Sequence, residues 1–282
     1  MSAQGGYQDL LERSASVPYK KVLVVEGPTD IQMLNLMLDK PEFKRENPMS
    51  RWILGAAGGK SQVLKCLDRQ SDWHGLVDRD AWTEEEIRRA TQRYPNLHLL
   101  PRFCLENFLI DPAEIYPALK DLHLLPPGCN ERTLASKIEA ALPHAIAHGA
   151  LWRVIQPLYD GLMARGFNGV LLDFEREFER REIYEQIDEW HRYLSPAPLM
   201  DDYHRRLKEG RALSKEQALR TWIHGKSFWR HAVLPALENP ERRVSPERML
   251  RLILRAMALP EDLMAALQFM RRTESGKGGR YS

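Results

Sequence analysis

The chain has 282 residues, of which 43% are hydrophobic and 28% are charged, and its formal net charge is +2. This length is enough for one large domain or two smaller ones, each with a core of its own. No apolar run approaches the roughly 20 residues that span a bilayer. The polar N-terminus, MSAQGGYQDLLERSAS, has no apolar stretch of the signal-peptide type. We therefore expect a cytoplasmic protein that does not contact membranes.

Three cysteines, Cys66, Cys104 and Cys129, are scattered along the chain and form no CxxC pair. An odd, scattered set fits a reducing compartment and argues against a structural zinc site. The cysteines therefore agree with a cytoplasmic location.

Charge is unevenly distributed along the chain. Residues 1–110 are balanced, residues 111–202 carry a net charge of −7, and residues 203–282 carry 17 Lys or Arg against 8 Asp or Glu, a net charge of +9. This asymmetry favours contact between the C-terminal part and an anionic partner such as nucleic acid. The alternative is a set of solvated helices with a basic surface.

The first 110 residues alternate between short apolar runs and segments with helix signals. The apolar runs predict buried strands at residues 21–25, 51–54, 74–77 and 97–100. The sequence predicts helices from Thr29 or Asp30 to Leu38, at about residues 60–69, and from a capping box at Thr83 and Glu86 to about Arg93. This alternation predicts an α/β fold with a Rossmann-like, mainly parallel sheet and helices on both faces.

A glycine-rich segment, WILGAAGGKS, ends in Gly-Lys-Ser as a phosphate-binding P-loop does. The P-loop pattern has four residues between its first Gly and its Gly-Lys pair. Only Ala56, Ala57 and Gly58 separate Gly55 from Gly59. The loop is one residue short, so we expect a turn between a strand and a helix and no ATP site of the P-loop type.

Strand signals fade after Asp111, where Asp111-Pro112-Ala113-Glu114 is typical of a helix N-terminus. The following sequence predicts helices, among them one over residues 173–190, a linker at residues 195–198 and a mobile tail at residues 273–282. We therefore expect an α/β domain at residues 1–110, with its core at about 19–110. A helical region follows at residues 111–282 and becomes basic toward the C-terminus.

Carboxylates follow the predicted strands, where parallel sheets place functional loops. Glu26 follows the first strand and Asp30 lies one turn into the next helix; Asp78 and Asp80 follow the third strand, and Glu106 comes soon after the fourth. Crowded carboxylates repel one another and stay ionised only if cations lie between them. Oxygen ligands without His or Cys suit Mg²⁺ or Mn²⁺, so the pattern predicts a divalent-cation site.

Each of these carboxylates also has a purely structural explanation. Glu26 is typical of a polar turn, Asp30 can cap its helix, and Glu106 can lie on a helix surface. The Asp78 and Asp80 pair can lie in a solvated turn. The order of the motifs favours a site: Glu-Gly-x-x-Asp follows the first strand, a glycine-rich turn follows the second, and Asp-x-Asp follows the third.

With VLVVEGPTD followed by GLVDRD, residues 19–110 resemble a Toprim domain, the catalytic module of topoisomerases, primases and some nucleases. The continuation GAAGGKS, LENFLIDP and a late Gly225-Lys226 pair is similar to OLD-like Toprim nucleases, above all to the AriB-type effectors of PARIS anti-phage defence. The resemblance implies a Toprim-like fold. It also implies that the helical region serves dimerisation and contacts with substrate and partner.

The resemblance implies a role for each matching carboxylate. Glu26, Asp78 and Asp80 would be catalytic metal ligands, and Glu26 could also accept a proton. Asp30 would be a ligand or would support the ligands, and Glu106 would help to hold a second cation. The cofactor would be Mg²⁺ or Mn²⁺, which activates the nucleophile and stabilises the leaving oxygen.

The resemblance makes Lys226 the catalytic cation, which would stabilise negative charge that builds on phosphorus. A Lys after Gly is otherwise a common exposed loop residue, and Lys60 competes for the same role as a substrate-binding cation. Arg220 and Arg230 are further candidates for substrate binding. The aromatic residues among them can stack on unpaired nucleotides or form a helix–helix core; they are Trp222, Phe228 and Trp229.

Arginines recur at near-helical spacing further along, at Arg242-Arg243, Arg248, Arg251 and Arg255. Such a stripe suits phosphate contacts and a protein interface equally well.

The resemblance implies a metal-dependent nuclease that cleaves transfer RNA and arrests translation, as the toxic effector of abortive infection. It implies a homodimer and a separate AriA-like ATPase subunit that holds the nuclease inactive, in agreement with the absence of a P-loop from this sequence. Three alternatives stay open: a DNA endonuclease, a topoisomerase-like or primase-like Toprim enzyme, and a non-catalytic Toprim regulatory subunit. The clustered carboxylates argue against the last.

Overall fold

The computed structural model describes residues 3–44, 47–167, 169–172, 179–239 and 244–271. Within them, a four-stranded sheet has the strand order β2-β1-β3-β4, and every pairing is parallel. The strands are β1 (Lys21–Val25), β2 (Trp52–Ala56), β3 (His74–Val77) and β4 (Leu97–Leu99). The predicted parallel α/β sheet is confirmed, and each strand ends within two residues of its predicted limits.

The described helices, in chain order, are α1 (Ala3–Ser16), α2 (Pro28–Leu38), α3 (Pro41–Lys44), α4 (Lys60–Arg69), α5 (Glu84–Arg93), α6 (Pro112–Asp121), α7 (Glu131–Glu139), α8 (Leu142–Ala164), α9 (Arg180–Tyr193), α10 (Pro196–Ala212), α11 (Lys215–Gln217), α12 (Gly225–Phe228), α13 (Leu234–Ala236), α14 (Pro246–Ala256) and α15 (Glu261–Ala266). Single 3-10 turns lie at Pro48–Ser50, Leu105–Phe108, Val170–Leu172 and Gln268–Met270, and π-helical turns at Ala218–Trp222 and Trp229–Val233. None of the described helices is long and apolar enough to cross a membrane.

The sheet separates two apolar cores, and alternate residues of β1 contribute to each. Val22 and Val24 belong to the smaller core, which includes residues of α1 and α4. Leu23 and Val25 belong to the larger core, which continues through α2 and α6 into the helical region as far as Met270. A strand that is buried on both faces needs such a continuous apolar run, which is why KVLVV forms β1.

Helix α1 was not predicted from the sequence, and it explains one of the glycines in WILGAAGGKS. A Cβ atom at Gly55 would lie 2.4 Å from Leu10 Cδ2, and Leu10 is buried in the smaller core. Gly55 therefore lets α1 pack closely on β2.

Two predicted helix starts are confirmed. Thr83 and Glu86 form the capping box at α5: Thr83 Oγ1 accepts the Glu86 N–H at 3.2 Å, and Glu86 Oε2 accepts the Thr83 N–H at 2.7 Å. Asp111 Oδ1 accepts the Ala113 N–H at 3.0 Å at the start of α6.

The predicted linker at residues 195–198 is wrong, because α10 begins at Pro196 and Ser195 precedes it in the N-cap position. Proline suits the first turn of a helix, where its missing N–H has no partner to lose. The helix predicted over residues 173–190 is present as α9 from Arg180, and residues 173–178 lie outside the described residues, as do the predicted tail at 273–282 and Arg242-Arg243.

A buried arginine joins the segment after β4 to the helical region. Arg102 is only 1% exposed and binds both oxygens of Glu114 on α6, at 2.6 Å each. It also donates to both oxygens of Asp262 on α15, at 2.8 and 3.1 Å, and to the Asn107 carbonyl oxygen at 3.1 Å. Burial alone would lower the pKa of Arg102, but these carboxylates outweigh it and raise the pKa. One guanidinium group therefore connects three parts of the chain.

We expect Arg102→Met to lower the free energy of unfolding by about 3–5 kcal/mol, because Glu114 and Asp262 would lose the cation that compensates them in a largely buried setting. Urea unfolding followed by circular dichroism measures the change. The matched control is Arg93→Met, which breaks an exposed ion pair with Asp68 and should cost less than about 1 kcal/mol. Equal losses in the two variants would contradict the role given to Arg102.

Candidate active site

The two central strands bring their terminal carboxylates together. Glu26 directly follows β1 and Asp78 directly follows β3, and these strands are neighbours in the sheet. Glu26 Oε1 accepts the backbone N–H of Asp78 at 2.9 Å. Glu26 and Asp78 therefore lie close together at one edge of the sheet, as predicted.

The glycine turn after β2 completes this edge. The N–H groups of Gly58 and Gly59 both donate to the carbonyl oxygen of Glu26 at 2.9 Å. Both glycines have positive φ, +93° and +127°, a conformation that favours glycine. These two N–H groups bind the protein backbone, in agreement with the prediction that this is not a P-loop.

The turn places Lys60 at the start of α4 beside the second aspartate. Lys60 Nζ lies 2.6 Å from Asp80 Oδ2 and 4.4 Å from the centre of the Trp82 ring. The carboxylate of Asp80 is partly exposed, with 41% of its side-chain surface accessible. Lys60 therefore lies beside the carboxylates, and its role as a substrate-binding cation stays a prediction.

The backbone of Asp80 is held in an uncommon conformation. Its φ is +50°, which is unfavourable for most residues other than glycine but is tolerated by aspartate. The Asp80 N–H donates to the Phe103 carbonyl oxygen at 2.7 Å, and the Phe103 N–H donates to the Arg220 carbonyl oxygen at 2.7 Å. The helical region thus helps to fix the position of Asp80.

Lys226 reaches the site from the helical region. Its Nζ atom lies 3.7 Å from Asp78 Oδ2, and Lys226 occupies the second position of the short helix α12. Burial would lower the pKa of Lys226, but the charges of Glu106 and Asp78 outweigh it and raise the pKa. Lys226 therefore carries a positive charge against the carboxylates.

Asn107 is a positioning residue that sequence reasoning missed. Its Nδ2 group donates to the carbonyl oxygens of Leu219 and Ile223, at 2.7 and 2.9 Å, and Oδ1 accepts the Cys104 N–H at 3.1 Å. A Cβ atom at Gly225 would lie only 2.3 Å from Asn107 Oδ1. Asn107 and Gly225 therefore dock the segment that carries Lys226. The only sequence signal was an Asn next to Glu106 in LENF.

Glu106 is 6% exposed, and its Oε2 atom accepts no hydrogen bond from any residue that the structure describes. Burial raises the pKa of Glu106, while the charge of Lys226 opposes this rise. A buried carboxylate oxygen without a partner calls for an explanation, and a cation is one. The alternative that Glu106 lies on an exposed helix surface is wrong.

Asp30 caps its helix, as the structural alternative predicted: its Oδ2 atom accepts the Gly27 N–H at 2.7 Å. Burial raises the pKa of Asp30, and the charge of Lys226 acts in the opposite direction. Asp30 thus supports the backbone beside Glu26 and adds negative charge to the same region.

The carboxylates are poorly compensated as a group. Burial raises the pKa of Asp78 well above its usual value; Lys226 opposes this, while Glu26 and Asp80 add to it. Burial also raises the pKa of Glu26, with Lys60 opposing and Asp80 adding to the rise. Nearby positive charge would favour the ionised forms of both residues.

The donor chemistry fits a divalent cation. Among the described residues, no three His, Cys, Asp or Glu side chains are already arranged as a metal-binding group. The oxygens of Glu26, Asp78, Asp80 and Glu106 are nevertheless the kind of ligand that Mg²⁺ and Mn²⁺ prefer. The unpartnered Glu106 Oε2 and the raised pKa values are consistent with a place for additional positive charge.

The other residues that were predicted to contact substrate differ in their exposure and in their ion pairs. Arg220 pairs with Glu216 at 2.9 Å and approaches Glu114 at 3.9 Å, while Arg230 is exposed. The side chains of Trp222, Phe228 and Trp229 are all at least 90% buried. The prediction that they form a helix–helix core is therefore correct, and the prediction that they stack on nucleotides is wrong. The described arginines of the stripe are exposed on α14; they are Arg248, Arg251 and Arg255.

Compared with protein-family models and with curated proteins, the chain matches none of them. The Toprim resemblance therefore rests on the motifs and on the site that they form.

Gly225→Ala should destabilise the fold by about 1–3 kcal/mol, because the added methyl group overlaps Asn107 and must displace it. Gly169→Ala is the matched control, since a Cβ atom there meets no described residue within 4 Å, and it should change stability by less than about 0.5 kcal/mol. Urea unfolding measures both. A Gly225→Ala protein as stable as the control would show that the contact with Asn107 is not tight.

Asp78→Asn should increase the free energy of unfolding at about pH 7. Because the pKa of Asp78 is raised from 3.8 in the folded protein, folding favours the protonated form, and stability falls as the pH rises from about 4 through the folded pKa. The gain should vanish at about pH 3, where the carboxyl group is protonated in both states. Chemical unfolding across this range tests the prediction, with exposed Asp201→Asn as control. A loss of stability at neutral pH would contradict it.

Proposed function

We propose that the protein is a metal-dependent Toprim nuclease of the OLD-like type. The observation that supports this most is Lys226, which approaches Asp78 to 3.7 Å from a distant part of the chain. The charges of Glu106, Asp78 and Asp30 all act on this lysine. Within the part of the chain that the structure describes, the buried Oε2 atom of Glu106 has no hydrogen-bond partner.

The residues have distinct roles in this proposal. Asp78, Asp80 and Glu106 would hold Mg²⁺ or Mn²⁺, which would supply Lewis-acid activation of a water or hydroxyl nucleophile. Glu26, whose pKa burial raises, accepts the proton of the nucleophile. Lys226 stabilises the negative charge that builds on the phosphoryl oxygens.

The lysines have a second consequence for the reaction. Lys60 pairs with Asp80, and Lys226 approaches Asp78, so a cation held by these aspartates would share their oxygens with the two ammonium groups. Both ammonium groups would then be free to contact the phosphates of the substrate. This exchange fits a site that acts on a highly charged polymer.

The substrate that we propose is nucleic acid, with transfer RNA favoured by the resemblance to AriB-type effectors. The net charge of +9 on residues 203–282 and the exposed arginines of α14 support an anionic polymer. We extend the proposal to a cytoplasmic, homodimeric toxin effector of anti-phage abortive infection that a separate AriA-like ATPase subunit keeps inactive. Its activity would arrest translation.

With Mg²⁺ or Mn²⁺, the purified protein should cleave transfer RNA, and Glu26→Gln or Asp78→Asn should abolish cleavage. Lys226→Met should lower the rate by about 10²–10³-fold, the usual cost of removing one group that stabilises transition-state charge. Lys120→Met, which changes an exposed lysine on α6, serves as the matched control and should behave as the unmodified protein does. Gel analysis of labelled RNA gives the rates.

Other results distinguish the alternatives. Cleavage of plasmid DNA with intact transfer RNA favours a DNA endonuclease, and a covalent protein–DNA adduct favours a topoisomerase. RNA synthesis from nucleotides favours a primase. Intact substrates, together with no heat change when Mg²⁺ is titrated, favour a non-catalytic subunit and overturn the proposal.

A further inference from the structure

A cavity of about 430 Å³ adjoins α12, the helix that carries Lys226. Four histidines line it, His144, His148, His224 and His231, together with Ser227 and several apolar side chains. Its volume lies within the range of about 300–1,000 Å³ that is common for small-molecule sites. Neither the fold nor the proposed chemistry at the carboxylates requires four imidazoles at this place.

Two histidines of this cavity, His148 and His224, have a lowered pKa, which favours their neutral form. Burial lowers the pKa of His148, and the nearby His144 and His231 lower it further. Burial lowers the pKa of His224 to about 4. A neutral imidazole offers one N–H donor and one nitrogen acceptor. The described lining contains no Asp, Glu, Lys or Arg, so the cavity lacks the fixed charges that would select a phosphate group or a simple cation.

The imidazole of His224 is held in place. It stacks on Trp152, with ring centres 4.5 Å apart and planes within 8°. Its Nδ1 atom accepts the Ser227 N–H at 3.2 Å and lies 2.8 Å from Ser227 Oγ. A fixed ring among apolar walls presents a defined hydrogen-bonding edge, which suits a flat and rigid ligand.

The cavity lies next to the candidate active site. Ser227 directly follows Lys226 in the chain, and His224 precedes it by two residues. Lys226 Nζ lies 3.7 Å from Asp78 Oδ2, so the helix that borders the cavity also reaches the carboxylates. A ligand in the cavity would therefore be close to the carboxylates without occupying them.

We propose that this cavity binds a nucleobase of the nucleic acid whose phosphate is held at the carboxylate site. The proposal rests on the proposed nuclease function and adds a base-binding site to it. A base placed here would exchange stacking on its neighbours for contact with apolar walls and with the imidazole donors and acceptors, as enzymes that take a base out of the stack do. The imidazoles that line the cavity would then contribute to the choice of base.

The test uses Glu26→Gln protein without divalent cation and measures binding, not cleavage. The probes are the four nucleoside 5′-monophosphates, with ribose 5-phosphate as the ligand that lacks a base. Saturation-transfer NMR should show the strongest contact at base protons, and at least one nucleotide should bind about tenfold more tightly than ribose 5-phosphate, in line with the value of one base contact. His148→Ala and His231→Ala, each added to this protein, should remove that advantage.

His231 is exposed, so its substitution should leave the fold intact, and thermal unfolding checks this for each variant. His191→Ala, on the exposed surface of α9, is the matched control and should bind as the Glu26→Gln parent does. Equal affinity for ribose 5-phosphate and every nucleotide overturns the base site. The proposal also fails if both cavity variants bind nucleotides as the control does.

Two further outcomes are informative. Tight binding of Zn²⁺ that is lost in both cavity variants and that blocks nucleotide binding would make the histidines a metal site and overturn the proposal. Base-dependent binding by a protein that cleaves no nucleic acid supports the cavity while the nuclease function fails. Cleavage without base-dependent binding supports the nuclease function and overturns the base site. The two proposals can therefore be separated.

Discussion

The repulsion between the half-buried Glu26 and the buried Asp78, at the ends of β1 and β3, is the constraint around which this site is organised. Asp78 is 6% exposed and lies beside Glu26, so burial and like charge both disfavour ionisation. The compensating cations do not come from the same loops. Lys60 lies at the start of α4, and Lys226 lies in the helical region far along the chain. The electrostatics of the sheet edge therefore depend on how the helical region docks.

That docking depends on the amide of Asn107 and on the buried ion pairs of Arg102. Asn107 fastens the π-helical turn before Lys226 with two hydrogen bonds to carbonyl oxygens, and Gly225 leaves room for its side chain. Arg102, five residues earlier, fixes the same segment to α6 and α15. Because Lys226 sits on a helix of four residues, its distance from Asp78 follows the position of that helix. A shift of α12 would therefore change the distance from Lys226 to Asp78 and with it the charge balance at Asp78.

Local features of this chain could be predicted from sequence, and contacts between distant segments could not. The β1 strand and the Thr83 capping box depend on neighbouring residues, and the Asp-x-Asp motif follows from where β3 ends. Helix α1 has no such local signal because it is stabilised by packing on Gly55. The residues Ser195 to Pro198 suit a linker and a helix start equally well, and only the structure distinguishes them. The role of Asn107 likewise depends on carbonyl groups more than a hundred positions away in the sequence.

Aromatic residues among basic ones illustrate why burial decides function. Trp222 donates from Nε1 to the Ile146 carbonyl oxygen at 3.0 Å, and the guanidinium of Arg153 lies 3.9 Å from its ring centre. Both contacts use Trp222 to join α8 to the π-helical turn, so its ring is not available to stack on a nucleotide. Composition alone cannot separate this use from nucleic-acid stacking. If the protein binds bases, side chains with accessible polar groups must recognise them, and the histidines of the cavity beside α12 are such side chains.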